Sequence, residues 1–151
     1  MQQQFKSGTI TAVCISSKKS VRKKNVGAGL LIENFGLAGD AHGDSTTHRQ
    51  VSLLAEESIK RMQELGLNVG AGDFAENLTT VGIDLISLPL GTKLRIGSEA
   101  LLEITQHGKE CHTPCAIYRQ AGMCVMPREG IFARVLQGGR VKSGDAITLV
   151  T

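Results

Sequence analysis

Aromatic side chains are scarce in this sequence: its 151 residues include no Trp, one Tyr and four Phe. Proteins that bind single-stranded nucleic acid stack bases on aromatic rings, so this composition argues against that class. The net charge of +3 is mild and indicates no nucleic-acid partner. No apolar run is long enough to span a bilayer, and the polar start of the sequence, residues 1–6, lacks the apolar core of a signal peptide. We therefore expect a cytoplasmic protein without nucleic-acid or membrane partners.

Proline is also rare, with 3 residues, whereas glycine is abundant, with 18. The length suits a single domain over residues 1–151 with its own hydrophobic core. In the cytosol the four cysteines are expected to stay reduced. Free thiols in that compartment indicate metal binding, redox work or nucleophilic chemistry.

Short apolar segments separated by turn residues dominate the chain, which favours a β-barrel over a parallel sheet. One amphipathic helix is predicted over residues 55–65, because Ala55, Ile59 and Met62 recur at helical spacing. The predicted strands cover 8–17, 29–33, 51–54, 78–80, 93–96, 100–106 and 146–150. Their core residues are predicted to be Leu101, Leu102, Ile104, Ile147, Leu149 and Val150.

The segment from 107 to 124, HGKECHTPCAIYRQAGMC, holds three of the four cysteines. Thr113 and Pro114 are typical of a helix start, which places Cys115 in the first helical turn. The positive end of the helix dipole, together with cations at Lys109, His112 and Arg119, favours a thiolate at Cys115. A thiolate is what sulfur transfer or metal ligation requires. The alternative is that Cys115 is a buried small apolar residue.

A zinc site is a second interpretation of the same segment. Cys111, Cys115 and Cys124, with His107 or His112, supply enough ligands for a tetrahedral site. Their spacing differs from that of a zinc ribbon, which has two closely spaced cysteine pairs.

Three other features carry candidate site residues. Asp40 and His42 lie in a Gly-bounded loop and can orient each other, and Arg49 offers a planar fork for a phosphate or carboxylate. Asn77 can bind an amide-like edge of a ligand. The alternative for both loops is an ordered turn. A basic run is either a solvated loop beside an edge strand or an attractor for an anion. It consists of Lys18, Lys19, Arg22, Lys23 and Lys24.

In this order, the three constellations resemble the MOSC family, the domain found at the C-terminus of molybdenum-cofactor sulfurases and also alone. The matching pieces are GDAHG, HRQVSLLAEES, GDFAENLTTVGIDL, LEITQ…TPC and GGRVKSGDAITL. The resemblance is greatest to small stand-alone bacterial members with a KECH…C segment and a MPREGIFARV ending. It covers nearly the whole chain after the first strand.

The resemblance implies a closed, mostly antiparallel β-barrel of the pyruvate-kinase type with a few short helices. It implies that Cys115 carries a persulfide or ligates molybdenum, with Cys111 and Cys124 as secondary thiols. The implied ligand is the molybdenum cofactor, molybdopterin. The residues expected to help bind it are His42, Arg49, Asn77, Lys109, His112 and Arg119.

The resemblance therefore implies a cofactor-binding or sulfur-carrier protein of molybdenum-cofactor metabolism. No pyridoxal phosphate is expected in this chain, so sulfur would come from a donor such as a cysteine desulfurase. One alternative is a molybdenum-dependent reductase of N-hydroxylated substrates, and another is a zinc-stabilised interaction domain. Substrate, electron donor and oligomeric state stay open.

Overall fold

The computed structural model describes residues 7–18, 21–108 and 130–150. Within these ranges the chain forms mainly β-strands, with one α-helix and a 3-10 turn at Leu85–Ser87. The strands are β1 (Ser7–Ile15), β2 (Lys24–Asn25), β3 (Ala28–Ile32), β4 (Gly36–Leu37), β5 (Val51–Ala55), β6 (Leu78–Val81), β7 (Lys93–Ile96), β8 (Ala100–His107), β9 (Ile131–Gln137), β10 (Gly139–Lys142) and β11 (Ala146–Val150). The helix, α1 (Glu56–Glu64), directly follows β5.

The main sheet closes on itself. Among the described strands its order is β11-β7-β8-β9-β5-β6-β1-β2, and a further pairing between β11 and β1 completes a barrel. β5 and β6 run parallel, whereas the other neighbouring strands of the barrel are antiparallel. The predicted closed, mainly β-barrel is confirmed, with the single difference that its strand orientations are mixed.

Strand β1 lies between two other strands of the barrel, and side chains on both of its faces are buried. It pairs with β6 on one side and with β11 on the other, and its last residues also pair with the short edge strand β2. Ile10 and Val13 are fully buried in the barrel interior. Because successive strand residues face opposite sides, Cys14 lies on the outer face, where it is also fully buried.

The helix covers part of that outer face. Ile59 and Met62 pack with Leu54 and Phe132 in a second apolar cluster, distinct from the barrel interior. The predicted helix over 55–65 is therefore confirmed, with observed bounds of Glu56–Glu64. Gly66, with a φ of +94°, follows the helix in the left-handed conformation that glycine adopts readily. Within the described ranges, no helix has the length and apolar character needed to cross a membrane.

The core predictions were correct where strand alternation placed side chains inside. Leu102, Ile104 and Ile147 are buried in the barrel interior, and Leu149 packs against it. The prediction that Val150 belongs to the core is wrong, since this residue is 39% exposed. It comes one residue after Leu149 on the same strand, so its side chain faces the other side of the sheet.

Four observed strands were not predicted: β2, β4, β9 and β10. β10, β3 and β4 form a separate small sheet, in which Arg140 pairs with Leu30 and Leu31 pairs with Leu37. β10 pairs with β3, which is distant in sequence, and β2 and β4 are only two residues long. Local hydrophobic patterns carry little signal for such pairings.

Replacing Gly72 with alanine is expected to destabilise the fold more than the same change at Gly66. Both residues have a positive φ, of +87° and +94°, and that conformation costs an alanine roughly 1–2 kcal/mol. A Cβ at Gly72 would also overlap the carbonyl oxygen of Lys23, whereas no atom lies within 4 Å of a Cβ at Gly66. The overlap is expected to add about 2 kcal/mol. Urea unfolding of both variants measures the difference, and equal losses would contradict the close packing at Gly72.

Candidate functional site

Lys23 and Asp40 form a buried ion pair. Lys23 Nζ lies 2.8 Å from Asp40 Oδ1, and neither side chain is exposed to solvent. The backbone N–H groups of Ser16 and His42 also donate to Asp40, at 3.0 and 3.1 Å. A buried charge is tolerated only when it is paired and hydrogen-bonded, and this carboxylate meets both conditions.

The surroundings of Asp40 favour its charged form. Burial raises the pKa of this carboxyl group, but its polar neighbours, the His42 and Lys23 side chains, the Ser16 backbone N–H and Asn77, outweigh burial. The pKa of Asp40 therefore lies well below its usual range.

The backbone places Lys23 in this interior position. Lys23 N donates to the carbonyl oxygen of Gly72 at 2.7 Å, so the basic loop lies directly against the loop that precedes β6. Neither interpretation of the basic run describes Lys23, because its side chain is not solvated and its charge is neutralised by Asp40. The solvated-loop interpretation does fit Lys18 and Lys24, which are exposed; Lys24 lies in the edge strand β2.

His42 lies beside the ion pair and reaches solvent. Its Nδ1 is 3.0 Å from Lys23 Nζ and 3.6 Å from Asp40 Oδ2, and its side chain is 15% exposed. Asp40 and His42 therefore orient each other, as the loop sequence predicted. The hydrogen bond from His42 N to Asp40 is an Asx turn, so the structural alternative also describes this loop.

Arg49 and His48 converge on Gln106, near the end of β8. Gln106 Oε1 lies 3.0 Å from Arg49 Nε, which donates to it, and 2.7 Å from His48 Nε2. The Arg49 guanidinium also lies over the Phe132 ring, with its carbon 5.4 Å from the ring centroid. These contacts hold the guanidinium plane in one orientation on the barrel wall.

The segment that carries Cys115 follows this end of β8 in the sequence. Gln106 Nε2 donates to the carbonyl oxygen of Gly108 at 2.9 Å. Gly108 N in turn donates to the carbonyl oxygen of Gly130 at 2.7 Å. Gly108 and Gly130, the described residues on either side of 109–129, therefore lie side by side, and Gln106 links Gly108 to Arg49 and His48.

Asn77 is fully buried, and its amide group contacts the protein itself. Its Oδ1 accepts from Ser52 N at 2.9 Å, and its Nδ2 donates to the Cys14 carbonyl at 3.1 Å. This geometry fits the alternative in which Asn77 orders the turn into β6. A direct role of Asn77 in ligand binding stays a prediction.

Sequence reasoning missed Glu76, a carboxylate with no solvent exposure. It accepts hydrogen bonds from Gly72 N at 2.9 Å, Phe74 N at 3.2 Å and the Thr79 hydroxyl at 2.9 Å. Burial raises the pKa of Glu76, and these hydrogen bonds oppose the rise. The sequence signal that could have identified Glu76 is an acidic residue two positions before a strand. At such a position a carboxylate can accept hydrogen bonds from the free N–H groups of a loop.

Cys14 is buried beside this loop. Burial is the main cause that raises the pKa of its thiol to about 12, and the carboxylates of Glu76 and Asp73 add to the rise while Lys23 opposes it. This thiol is therefore protonated and unreactive at neutral pH.

The remaining predicted site residues lie outside the described residues. They are Lys109, Cys111, His112, Cys115, Arg119 and Cys124, together with the predicted helix start at Thr113 and Pro114. In the ranges that are described, no three His, Cys, Asp or Glu side chains group closely enough to hold a metal ion.

The MOSC domain family model matches residues 38–148, which include both loops of the site and the segment around Cys115. The chain belongs to the MOSC domain family. The comparison with curated proteins found no match to this MOSC domain.

Solved structures share the fold of this MOSC domain at low sequence identity. It is similar to YuaD of Bacillus subtilis, with a TM-score of 0.79 and 19% identity over 95% of each chain. It is also similar to YiiM of Geobacillus stearothermophilus, with a TM-score of 0.68 and 19% identity over 95% of this chain and 75% of that one. YiiM of Escherichia coli gives a TM-score of 0.67 and 19% identity, over 96% and 70% of the two chains.

Asp40→Asn is expected to lower the free energy of unfolding at neutral pH by about 3 kcal/mol, because Lys23 then stays buried without a counter-charge. The native pKa of Asp40 is depressed, so its stabilisation is present above the unfolded value of roughly 4 and is lost as pH falls toward the native pKa. The gap between wild type and variant should therefore shrink on acidification.

Urea unfolding at about pH 7 and about pH 3 measures this gap. The exposed Asp84→Asn serves as the matched control and should change little at either pH. A gap of equal size at both pH values would show that the Asp40 charge does not stabilise the fold.

Proposed function

We propose that this MOSC domain binds the molybdenum cofactor or carries sulfur for it, with Cys115 as the reactive thiol. The observation that carries the proposal is the convergence of Arg49 and His48 on Gln106, which also contacts Gly108, the last described residue before the Cys115 segment. The Arg49 guanidinium, which can bind an anion, lies near the start of the segment that carries the Cys115 thiol. This combination suits a ligand that is both phosphorylated and thiophilic.

The donor set fits such a cofactor in part. Arg49 uses Nε on Gln106, so the terminal N–H groups of its planar fork remain for a phosphate or carboxylate, with no partner among the described residues. His48 and His42 add hydrogen-bonding ring nitrogens at exposed or half-buried positions. The soft ligand that molybdenum prefers would come from Cys115. When bound, the cofactor would supply redox chemistry at its metal.

We propose that the buried residues of the site do not contact the ligand but hold the loops of the site in place. Asn77 helps to hold the carboxylate of Asp40 in its charged form, and Asp40 orders the loop that carries His42. Glu76 fixes the loop against which Lys23 packs. The expected role of Asn77 in cofactor binding is therefore proposed as indirect.

As a sulfur carrier, the chain needs a donor such as a cysteine desulfurase. The Cys115 thiolate would attack the outer sulfur of the donor's persulfide. A new S–S bond forms at Cys115 while the donor's S–S bond breaks, and the donor cysteine leaves as a thiolate. Lys109, His112 and Arg119 are proposed to favour the Cys115 thiolate by their positive charge. Cys111 and Cys124 are proposed as secondary thiols that can resolve the persulfide.

Cys115→Ser is expected to abolish persulfide formation or bound molybdenum, because a hydroxyl neither accepts sulfane sulfur nor ligates molybdenum as a thiolate does. Anaerobic purification, with persulfide mass, molybdopterin and metals measured on one sample, tests this. Cys14→Ala is the matched control, since the buried Cys14 thiol should contribute to neither signal.

Several outcomes would redirect the assignment. Full sulfur acceptance and cofactor retention in Cys115→Ser would rule out the proposed role of this thiol. Stoichiometric zinc that is lost in Cys111→Ser or Cys124→Ser would favour a zinc-stabilised interaction domain. Molybdenum-dependent turnover of an N-hydroxylated substrate with a reductant would favour the reductase alternative.

Arg49→Lys is expected to weaken molybdopterin binding roughly tenfold, because lysine keeps the charge but loses the planar fork and the bond to Gln106. Equilibrium dialysis with molybdopterin measures the affinity. The exposed Arg134→Lys on β9 is the control with the same change of side chain. Equal affinities for both variants would argue against Arg49 as the phosphate ligand.

A further inference from the structure

Lys23 bridges two groups of the site. Its Nζ lies 2.8 Å from Asp40 Oδ1 and 3.0 Å from His42 Nδ1, so one buried ammonium group contacts both a carboxylate and an imidazole. Lysine has hydrogen-bond donors and no acceptor. The imidazole nitrogen that faces it must therefore accept a hydrogen bond.

This requirement sets the proton on His42. A neutral imidazole carries its proton on one nitrogen and accepts with the other. If Nδ1 accepts from Lys23, the proton lies on Nε2. The competing tautomer would direct an Nδ1–H toward Asp40 Oδ2, but those atoms are 3.6 Å apart, which is longer than an N–H···O hydrogen bond.

Lys23 also differs in its environment from the exposed lysines near it. Its side chain is fully buried, and its charge is balanced by Asp40, so it cannot contact a ligand in solvent. Lys24, its neighbour in sequence, is exposed and belongs to the edge strand β2. Among the described contacts of Lys23 Nζ, the one that leads toward solvent is His42, whose side chain is 15% exposed.

We propose that Lys23 is a positioning residue that holds His42 as a neutral imidazole with its proton on Nε2. In that form, His42 offers a hydrogen-bond donor, and not a base, to an acceptor oxygen of a bound oxyanion. The identity of that oxyanion rests on the proposed cofactor function, whereas the tautomer does not.

The tautomer of His42 can be measured directly on the ligand-free protein. Long-range ¹H–¹⁵N correlation spectra near neutral pH distinguish a protonated from an unprotonated ring nitrogen, and His42→Gln assigns the signals. In wild type, Nδ1 is expected to appear unprotonated and Nε2 protonated. In Lys23→Met, the loss of the donor frees Nδ1 to carry a proton toward Asp40, so the assignment of the two nitrogens is expected to exchange.

Lys24→Met is the matched control and should keep the wild-type pattern. If Lys23→Met does not fold, the wild-type spectra still decide the question, because a protonated Nδ1 there contradicts the proposal. A protonated Nδ1 in wild type, or an unchanged tautomer when Lys23 is replaced, would overturn the proposal. Because the spectra need no cofactor, a chain that binds no molybdopterin would still show the predicted tautomer, which separates this test from that of the proposed function.

Discussion

The ion pair between Lys23 and Asp40 connects parts of the chain that are far apart in sequence. Asp40 also holds the backbone of Ser16 at the end of β1, and Lys23 is hydrogen-bonded through its backbone to Gly72. Burial of two charges is costly unless each is compensated, so this pair is stable only when all of these segments are in place. The pair therefore constrains the loop that carries His42, and with it the shape of this part of the site.

The barrel explains why such a polar cluster can exist at all. Val13, Leu53 and Leu78 fill the interior, and strand alternation then places their neighbours Cys14, Ser52 and Asn77 on the outer face. There they are covered by the loop that precedes β6, whose free N–H groups are satisfied by Glu76. The apolar interior thus remains intact while the polar groups are buried in a second, hydrogen-bonded layer outside it.

Local patterns were sufficient for most strands and for the helix, because apolar alternation and helical spacing are recorded in neighbouring residues. They were insufficient for Lys23, which lies in a run of five basic residues that is typical of a solvated loop. Its counter-charge is 17 positions away, and nothing local identifies that partner. The sequence of their loop identified Asp40 and His42 as candidates, but only the tertiary structure shows that Lys23 contacts both of them. For the cysteine segment, the family resemblance carried the prediction, and Cys115 lies outside the described residues.

The two described groups of the site differ in what they offer to an anion. The Lys23–Asp40 pair is electrically neutral, so it adds little long-range attraction and acts by setting the geometry of His42. Arg49 keeps its charge on the barrel wall, where Phe132 and Gln106 hold its plane. Under the proposed function, Arg49 would supply the charge that attracts a phosphorylated ligand, and His42 would supply a hydrogen-bond donor. This division would let the domain attract an anion without placing an uncompensated charge in its buried layer.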